Sequence, residues 1–155
     1  MDVETARLVL HLLTPGEARR IVARSPAGTD LWHPDYPLAD ELAPLSILAK
    51  SGRSGGVFGL YQIRERVDGL AIGGIGFFGP PDDHGAVEVG YGLVRPARGS
   101  GLATEALGAL IQVAHEHGAA AITAETTTGN VASQNVLIRS RFQEAHRDGD
   151  TIRRS

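Results

Sequence analysis

One segment of the sequence places narrow limits on the fold, because Leu102–His117 has the periodicity of a long amphipathic helix. At 100° per residue, apolar side chains occupy one half of the helical wheel and polar side chains occupy most of the other half. A stripe this broad is typical of a helix that packs on a β-sheet, and Gly118 predicts where the helix ends. The apolar half comprises Leu102, Ala103, Ala106, Leu107, Leu110, Ile111, Val113 and Ala114.

The rest of the chain predicts strands and helices of a single α/β domain over residues 1–155, with a mostly antiparallel first half. A capping box that starts at Thr14 predicts a helix through about Arg24. Further helices are predicted near Glu41–Lys50 and over Val131–Ser140. The predicted strands are Ala6–Leu13, Val57–Arg64, Leu70–Phe78, Ala86–Val94 and Ala121–Thr126, followed by a hairpin of Phe142–His146 and Thr151–Arg154.

Composition excludes several classes of protein. The chain has no cysteine, so it has no disulfide, no zinc–cysteine site and no thiol nucleophile. Its net charge of −3 and its dispersed arginines argue against a nucleic-acid-binding surface. No metal site is predicted, because His115 and His117 face opposite sides of their helix. No apolar run approaches the ~20 residues that span a bilayer, and the first residues lack a signal-peptide core. We therefore expect a cytoplasmic protein with no nucleic-acid partner and no membrane contact.

Glycine is concentrated in the middle of the chain, where 15 of the 20 glycines lie between Gly52 and Gly108. The run Gly74–Gly79 matches the dinucleotide-binding pattern, which works only where a strand leads into a helix N-terminus. Pro80 and Pro81 follow it instead of a helix. We therefore interpret this run as a glycine-rich strand, and a dinucleotide-dependent oxidoreductase has no support.

The second glycine run, Arg98–Ala103, lies between the predicted strand Ala86–Val94 and the long helix. The first N–H groups of a helix have no partner within it and carry partial positive charge, which suits an anion. Arg95 and Arg98 add positive charge, and glycine lets the backbone approach a phosphate closely. Such a turn is also an ordinary connection, but the coincidence of arginines, glycines and a helix start favours a phosphate-binding turn.

The same residues resemble a known family. The pattern Arg98-x-x-Gly101-x-Ala103 matches the Q/R-x-x-G-x-G/A signature of the GNAT family of N-acetyltransferases, and the wider stretch Glu88–Leu107 is similar to its RimJ/RimL-type branch. Glu4–Leu10 resembles the opening strand of that branch, and Asn130–Leu137 resembles its later N-x-x-S helix start. The likeness covers nearly the whole chain, in the same order.

The resemblance implies a fold and an activity. The fold would be α/β (α+β), with one mixed β-sheet that is splayed near its middle and carries helices on both faces. The activity would be acetyl-CoA-dependent N-acetyl transfer, without a metal, to a primary amine of a small molecule or a peptide N-terminus. Transfer would be direct, in a ternary complex, and the lack of cysteine is consistent with that route. The alternative is a non-catalytic acyl-CoA-binding or regulatory protein, which would keep the glycine turn and tolerate loss of Glu88.

The resemblance also implies which residues bind acetyl-CoA. The pantetheine arm would pair with the backbone of Leu93 and Val94. Asn130 would hold the pantetheine end, where the strands are splayed. The pyrophosphate would lie on the backbone N–H groups of Arg98, Gly99, Ser100, Gly101, Leu102 and Ala103.

Glu88 is the candidate general base. Strand alternation puts it on one face with Gly90 and Gly92, where a lone carboxylate could take the proton that the amine must lose. The alternative is a solvated strand glutamate. Ser133 is, by its matching position, the candidate acid for the departing CoA thiolate, or else a capping serine in the first turn of a helix. Leu137 stands where many relatives carry a tyrosine for that role.

The loop that contains Trp32 and Tyr36 is the candidate acceptor region. Its polar-aromatic sequence resembles segments that shape the acceptor side in this branch. Trp32 and Tyr36 would line the acceptor pocket, unless they serve loop packing alone.

The end of the chain departs from the family pattern. Arg141 follows the predicted helix Val131–Ser140, at a position where the family usually has a glycine. With arginine there, the chain would need a different turn or a strained one. The last strand is expected to be short, which leaves room for completion by a second copy in a homodimer.

Overall fold

The structure, a computed structural model, describes residues 1–53, 56–127, 129–149 and 151–155. The described residues form one eight-stranded sheet and four α-helices, with short 3-10 turns at Ala39–Glu41, Gly56–Phe58 and Arg95–Ala97. The helices are α1 (Pro15–Val22), α2 (Leu42–Ser51), α3 (Leu102–Glu116) and α4 (Val131–Arg139). The strands are β1 (Asp2–Glu4), β2 (Leu8–Leu12), β3 (Leu60–Glu65), β4 (Ala71–Phe77), β5 (Ala86–Leu93), β6 (Ala121–Thr127), β7 (Glu144–Asp148) and β8 (Thr151–Arg154).

The first strand differs from its prediction for a local reason. It begins at Leu8 rather than Ala6, because the chain turns just before it. In this turn the Thr5 N–H donates to the Leu8 carbonyl at 2.9 Å, and the Leu8 N–H donates to the Thr5 hydroxyl at 3.0 Å. The residues ahead of the turn pair back on β2 as β1, a strand that the sequence did not predict.

The sheet has the order β1-β2-β3-β4-β5-β6-β8-β7 and is antiparallel except between β5 and β6. These two parallel strands pair only over Ala86–Glu88 and Ala121–Thr123. Beyond these residues β6 pairs with β8, so the sheet opens between β5 and β6. The predicted mixed sheet, splayed near its middle, is confirmed. Both neighbours of the last strand, β6 and β7, come from this chain.

One face of the sheet carries large apolar side chains and the two later helices. Register places Leu10 beside Ile63 and Ile75 beside Tyr91 on this face. Helix α4 lies here, because the Tyr91 hydroxyl donates to the Ser133 carbonyl. Helix α3 contacts α4 and packs on β2, β4 and β5. Its predicted amphipathic stripe is confirmed, since its fully buried residues are Ala106, Leu107, Leu110 and Ala114.

The opposite face carries smaller and polar side chains and the two earlier helices. Helix α1 is joined to this face through Glu17, whose Oε2 lies 2.8 Å from His11 Nε2. The same register brings Gly74 beside Gly92 on this face, with Glu88 further along β5. Helices therefore lie on both faces of the sheet, as predicted.

The sequence predicted either a different turn or a strained turn after α4, and the structure shows the strained turn. Arg141 adopts a positive φ of 69°, which side chains with a Cβ disfavour. The turn is closed by the Phe142 N–H, which donates to the Leu137 carbonyl at 2.9 Å. Phe142 is thereby placed in the core, 7% exposed. The chain keeps the turn that glycine would normally make and accepts the strain.

Candidate active site

A cleft of about 850 Å³ opens where β5 and β6 part. Its walls come from β5, the second half of β6, the N-terminal ends of α3 and α4, parts of β3 and β4, and the segment between residues 36 and 45. One cavity thus collects residues from elements that are distant in the sequence. Most of the predicted site residues line it, namely Tyr36, Glu88, Leu93, Arg98, Gly99, Gly101, Leu102, Ala103, Asn130 and Ser133.

The backbone of β5 alternates between its two neighbours. The Phe78 N–H donates to the Glu88 carbonyl at 3.0 Å, and the Val94 N–H donates to the Ile72 carbonyl at 2.8 Å. In an antiparallel ladder every second residue directs both backbone groups at the same partner strand. The residues between these positions, including Tyr91 and Leu93, therefore direct their N–H and C=O groups at the open side, toward the cleft.

Leu93 and Val94 consequently have different positions. Leu93 lines the cleft, and its carbonyl accepts a hydrogen bond from Arg98 Nε at 3.0 Å. Val94 is fully buried, its N–H is bonded to Ile72, and its carbonyl accepts the Ala97 N–H at 3.0 Å. Val94 thus directs its backbone away from the cleft, because the pleat turns it toward β4. This geometry does not favour the expected backbone pairing at Val94, and it leaves Tyr91 and Leu93 on the open side of β5.

The glycine turn delivers the N-terminus of α3 to the cleft. Gly101 precedes the first helical residue with a φ of 83°, and Gly99 has a φ of 89°. A residue without a side chain cannot cap the helix, so Gly101 leaves the first-turn N–H groups of α3 without a side-chain cap. These N–H groups, together with the Arg98 side chain at the cleft wall, form a suitable anion site.

A brace on the outside of this turn was not predicted from the sequence. Glu105 accepts hydrogen bonds from the Thr5 hydroxyl at 2.5 Å, the Arg7 N–H at 2.8 Å and Arg7 Nε at 2.8 Å. Arg7 Nη1 also donates to the Ser100 carbonyl at 2.9 Å. Ser100 thereby faces the brace and does not line the cleft. Burial alone would raise the pKa of Glu105, but the hydrogen bonds from Thr5 and Arg7 outweigh it, and the pKa is lowered.

Asn130 and Ser133 occupy the first turn of α4. Asn130 caps the helix, because its side-chain oxygen accepts the Ser133 N–H at 3.1 Å. The Ser133 hydroxyl is therefore not the cap, and it lies 3.0 Å from the Tyr91 hydroxyl. Burial raises the pKa of Tyr91, and the Ser133 hydrogen bond offsets part of that rise. A strand tyrosine thus supplies a hydroxyl at this wall, whereas Leu137 is fully buried.

Glu88 lies at the point where the two parallel strands part. It is the last residue of β5 that pairs with β6, and its side chain is 33% exposed. Arg153 of β8 contacts Glu125 of β6, and its Nη2 lies 3.9 Å from Glu88 Oε1. Partial burial raises the pKa of Glu88, Glu125 raises it further, and Arg153 partly lowers it. A carboxylate whose pKa is raised while it stays accessible is suited to accept a proton.

Of the two predicted acceptor residues, Tyr36 lines the cleft and Trp32 lies behind it. Tyr36 is buried at the cleft wall, and its hydroxyl accepts a hydrogen bond from Gln62 Nε2 at 3.2 Å. Trp32 packs edge-on against Tyr36, with ring centroids 5.8 Å apart, and does not line the cleft. Burial raises the pKa of the Tyr36 phenol, and nearby Glu41 raises it further. Trp32 therefore supports Tyr36 by packing.

Glu41 is a cleft residue that sequence reasoning missed. It lies over the sheet where Gly74 has no side chain, since a Cβ at Gly74 would be 2.2 Å from Glu41 Oε1. Its other oxygen, Oε2, accepts the Leu38 N–H at 3.1 Å, whereas Oε1 is buried without a hydrogen-bond partner in the described structure. Burial raises the pKa of Glu41 to about 7, the Leu38 N–H opposes that rise, and Asp40 adds to it. Only the missing side chain at Gly74, across the sheet, makes room for this carboxylate.

Two further observations concern the described residues as a whole. No group of three or more histidine, aspartate or glutamate side chains among them is arranged to hold a metal ion. Every helix in the same ranges is too short or too polar to cross a bilayer.

Comparisons with known proteins agree on a family. The model of the acetyltransferase (GNAT) domain matches residues 7–143 of the chain. A search of curated proteins found none that is significantly similar to this chain. An acetyltransferase structure from Agrobacterium tumefaciens is 24% identical and matches with a TM-score of 0.69 over 99% of this chain and 92% of its own.

Two other solved structures share the fold at lower identity. RimL, a ribosomal L7/L12 alpha-N-protein acetyltransferase in complex with coenzyme A, is 17% identical, with a TM-score of 0.69 over 99% of this chain and 96% of its own. The ribosomal-protein-S5-alanine acetyltransferase from Vibrio fischeri is 18% identical, with a TM-score of 0.67 over 99% and 94%. At this identity the likeness shows a shared fold.

Proposed function

Because this chain belongs to the GNAT acetyltransferase family, we propose that it moves an acetyl group from acetyl-CoA to a primary amine. The acceptor is a small molecule or a peptide N-terminus, and transfer is direct, in a ternary complex. The observation that carries the proposal is the cleft itself. The uncapped N-terminus of α3 opens into it and the accessible carboxylate of Glu88 lines it too, so a candidate donor site and a proton acceptor share one cavity.

The chain's own groups fit the donor. The first-turn N–H groups of α3 and the Arg98 guanidinium suit a pyrophosphate, because they concentrate positive charge and N–H donors. The open edge of β5 at Tyr91 and Leu93 runs along the splay and suits the amides of the pantetheine arm, with the Leu93 carbonyl already held by Arg98 Nε. Asn130, at the N-terminus of α4, lies on the same cavity and holds the far end of that arm.

The chemistry requires two protons to be handled. As the amine nitrogen bonds to the acetyl carbon and the carbon–sulfur bond breaks, one proton leaves the nitrogen and one is taken up by the sulfur. Glu88 accepts the first, directly or through water, because its raised pKa makes it a better base than an ordinary exposed glutamate. The hydroxyl pair of Ser133 and Tyr91 delivers the second. The thioester supplied by acetyl-CoA provides the activated acetyl group.

The test separates acetyl transfer from acyl-CoA binding alone. Saturating acetyl-CoA is expected to raise the melting temperature of the wild type, since a ligand that binds only the folded state stabilises it. Release of free thiol is then measured across polyamines, amino acids, aminoglycosides and N-terminal peptides. Glu88→Gln is expected to slow turnover by about 100-fold and to leave the acetyl-CoA-induced shift intact.

Glu4→Gln, the same chemical change at an exposed position of β1, is the control and should alter neither measurement. No melting shift at saturating acetyl-CoA would overturn the donor assignment. A melting shift without thiol release from any amine would instead support the non-catalytic acyl-CoA-binding alternative. Unchanged turnover in Glu88→Gln would remove Glu88 from the mechanism.

A further inference from the structure

The carboxylate of Glu105 is engaged outside the helix to which it belongs. Glu105 is the acidic residue in the first turn of α3, close to the anion site proposed for the donor. A carboxylate near a helix N-terminus is attracted by the same partial positive charge that attracts a phosphate. Hydrogen bonds from the segment before β2 hold it instead. Its Oε2 accepts the Thr5 hydroxyl and the Arg7 N–H, and its Oε1 accepts Arg7 Nε.

Arg7 also fixes the direction of the peptide group between Ser100 and Gly101. Its Nη1 donates to the Ser100 carbonyl at 2.9 Å, on the outside of the turn. This peptide is trans, and in a trans peptide the carbonyl and the N–H that follows it point in opposite directions. The Gly101 N–H is therefore directed toward the cleft, which Gly101 lines and Ser100 does not. Within the described ranges this N–H has no hydrogen-bond partner.

A buried hydroxyl on the inner side of the same helix turn independently indicates a ligand. Thr104 precedes Glu105 and lines the cleft, and its Oγ1 is buried without a hydrogen-bond partner among the described residues. A buried hydroxyl without a partner is costly, and a bound phosphate oxygen would accept its hydrogen bond. Successive residues of α3 thus present an unsatisfied donor to the cleft and an engaged carboxylate to the outside.

Both partners of the Arg7–Glu105 ion pair remain partly accessible. The side chain of Arg7 is 48% exposed and that of Glu105 is 19% exposed. Partial burial opposes ionisation of Glu105, but the hydrogen bonds from Thr5 and Arg7 outweigh it and lower its pKa, so the carboxylate is charged at neutral pH. Replacement of Arg7 therefore removes a surface side chain, and it leaves a charged carboxylate in the first turn of α3.

We propose that Arg7 is a positioning residue for acetyl-CoA, which holds Glu105 and the Ser100 carbonyl outside the glycine turn so that the N–H groups of the turn stay free for the pyrophosphate. The proposal rests on the proposed donor site, and it names a residue that controls this site without touching the ligand. When Arg7 is lost, the Glu105 carboxylate competes with the pyrophosphate for the same partial positive charge, and the two anions repel each other.

Calorimetric titration with acetyl-CoA tests the proposal without turnover. Arg7→Met is expected to bind acetyl-CoA about tenfold more weakly than the wild type. Glu105→Gln, whose amide oxygen can still accept the Thr5 hydroxyl, should stay within about threefold of the wild type. The double variant should bind acetyl-CoA about threefold more tightly than Arg7→Met, because no carboxylate is left to compete. In the acetylation assay the loss in Arg7→Met should appear in KM for acetyl-CoA and not in kcat.

Arg66→Met is the matched control, because Arg66 is an exposed arginine whose Nη1 donates to the Thr5 carbonyl at 2.8 Å. The variant removes the same charge from the same region and leaves Glu105 and Ser100 engaged, so its acetyl-CoA affinity should equal that of the wild type. Equal losses in Arg66→Met and Arg7→Met would overturn the proposal, since only the overall charge would then matter. A double variant that binds acetyl-CoA no more tightly than Arg7→Met would overturn it too.

The failure of this inference differs from the failure of the proposed function. If acetyl-CoA binding weakens in Arg7→Met and recovers in the double variant but no amine releases thiol, the positioning role stands and acetyl transfer fails. If amines are acetylated but Arg7→Met binds acetyl-CoA as the wild type does, acetyl transfer stands and the positioning role fails. A wild type that binds no acetyl-CoA would overturn both. A misfolded variant cannot mimic the expected recovery, because removal of a second side chain would not repair the fold, and circular dichroism of each variant checks this.

Discussion

The phenolic hydroxyl of Tyr91 lies 3.0 Å from Oγ of Ser133, so a residue of β5 and a residue of α4 form one hydroxyl pair on the wall of the cleft. Tyr91 donates to the Ser133 carbonyl at 3.1 Å. The Ser133 hydroxyl is then left to donate to the Tyr91 oxygen, and a proton delivered from either residue can be replaced through the other. The pair connects β5 with the first turn of α4, which Asn130 caps.

Loss of either hydroxyl should slow the protonation of the leaving thiolate. We expect Tyr91→Phe and Ser133→Ala each to lower kcat by about 10- to 100-fold while the acetyl-CoA-induced melting shift stays the same. The double variant should be little worse than either single one, because the two hydroxyls act as a unit. Tyr61→Phe is the control, since it removes a hydroxyl that donates to the Val57 carbonyl and has no part in the Tyr91–Ser133 pair. Full kcat in Tyr91→Phe with loss in Ser133→Ala would show that Ser133 acts without Tyr91.

The pH dependence of turnover should report the charges around Glu88. A base must be ionised to accept a proton, so kcat/KM rises with pH through the pKa of Glu88, which is raised above its usual value by burial and by Glu125. Because Arg153 lowers that pKa, Arg153→Met should move the acidic limb of the profile to higher pH. Because Glu125 raises it, Glu125→Gln should move the limb to lower pH. Shifts of the same sign in both variants would contradict the assignment of Glu88 as the base.

Alanine should change protein stability in opposite directions at Gly101, which precedes α3, and at Gly108, which lies within it. Gly101 has a φ of 83°, so Gly101→Ala should lower the free energy of unfolding by about 1 kcal/mol and weaken acetyl-CoA binding by about tenfold. Gly108 lies in the helix with open space around it, so Gly108→Ala should raise the free energy of unfolding by about 0.5–1 kcal/mol. Denaturant unfolding and acetyl-CoA titration measure both effects. Equal acetyl-CoA affinity in the two variants would exclude the turn from donor binding.

Arg141 should be a site where glycine stabilises the protein. Its φ of 69° is unfavourable for arginine, so Arg141→Gly should raise the free energy of unfolding by about 0.5–1 kcal/mol. Arg139→Gly, two residues earlier in the helical backbone of α4, should lower it by about 1 kcal/mol. The opposite signs of the same substitution distinguish backbone strain from any effect of the lost charge. A lower melting temperature for Arg141→Gly would mean that the arginine side chain outweighs the strain.

Ionisation of Glu41 should destabilise the fold in a defined pH range. Burial raises its pKa from 4.5 to about 7, so the unfolded chain loses this proton at lower pH than the folded protein does. The wild type should therefore lose up to about 3 kcal/mol of stability from this group as the pH rises from about 4.5 to about 7. Glu41→Gln, whose amide oxygen can still accept the Leu38 N–H, should lack this loss. Denaturant unfolding across that range measures the difference, and parallel pH profiles would contradict the raised pKa.

Elements with strong local patterns were predictable, and the contacts between them were not. The stripe of α3 and the glycine turn before it follow from residue spacing alone, because helix periodicity and positive φ are local properties. The alternation of β5 likewise placed Glu88 with Gly90 and Gly92. The direction of the Val94 backbone could not be predicted in this way. Which backbone groups of a strand face a cleft depends on which edge its neighbour occupies, and only the pairing with β4 decides that.

The sequence by itself determined the order of the four helices and of strands β2 to β8, the position of the glycine turn before α3 and the family signature at Arg98–Ala103. Tertiary structure decided which distant side chains meet: Glu105 reaches Arg7 across 98 positions on the outside of the glycine turn, and Tyr91 reaches Ser133 across 42 on the wall of the cleft. It also placed Arg153 of the last strand beside Glu88. Spacing along a chain records only neighbours within a turn or a pleat, whereas these pairs exist because the sheet order puts β8 next to β6 and opens β6 away from β5.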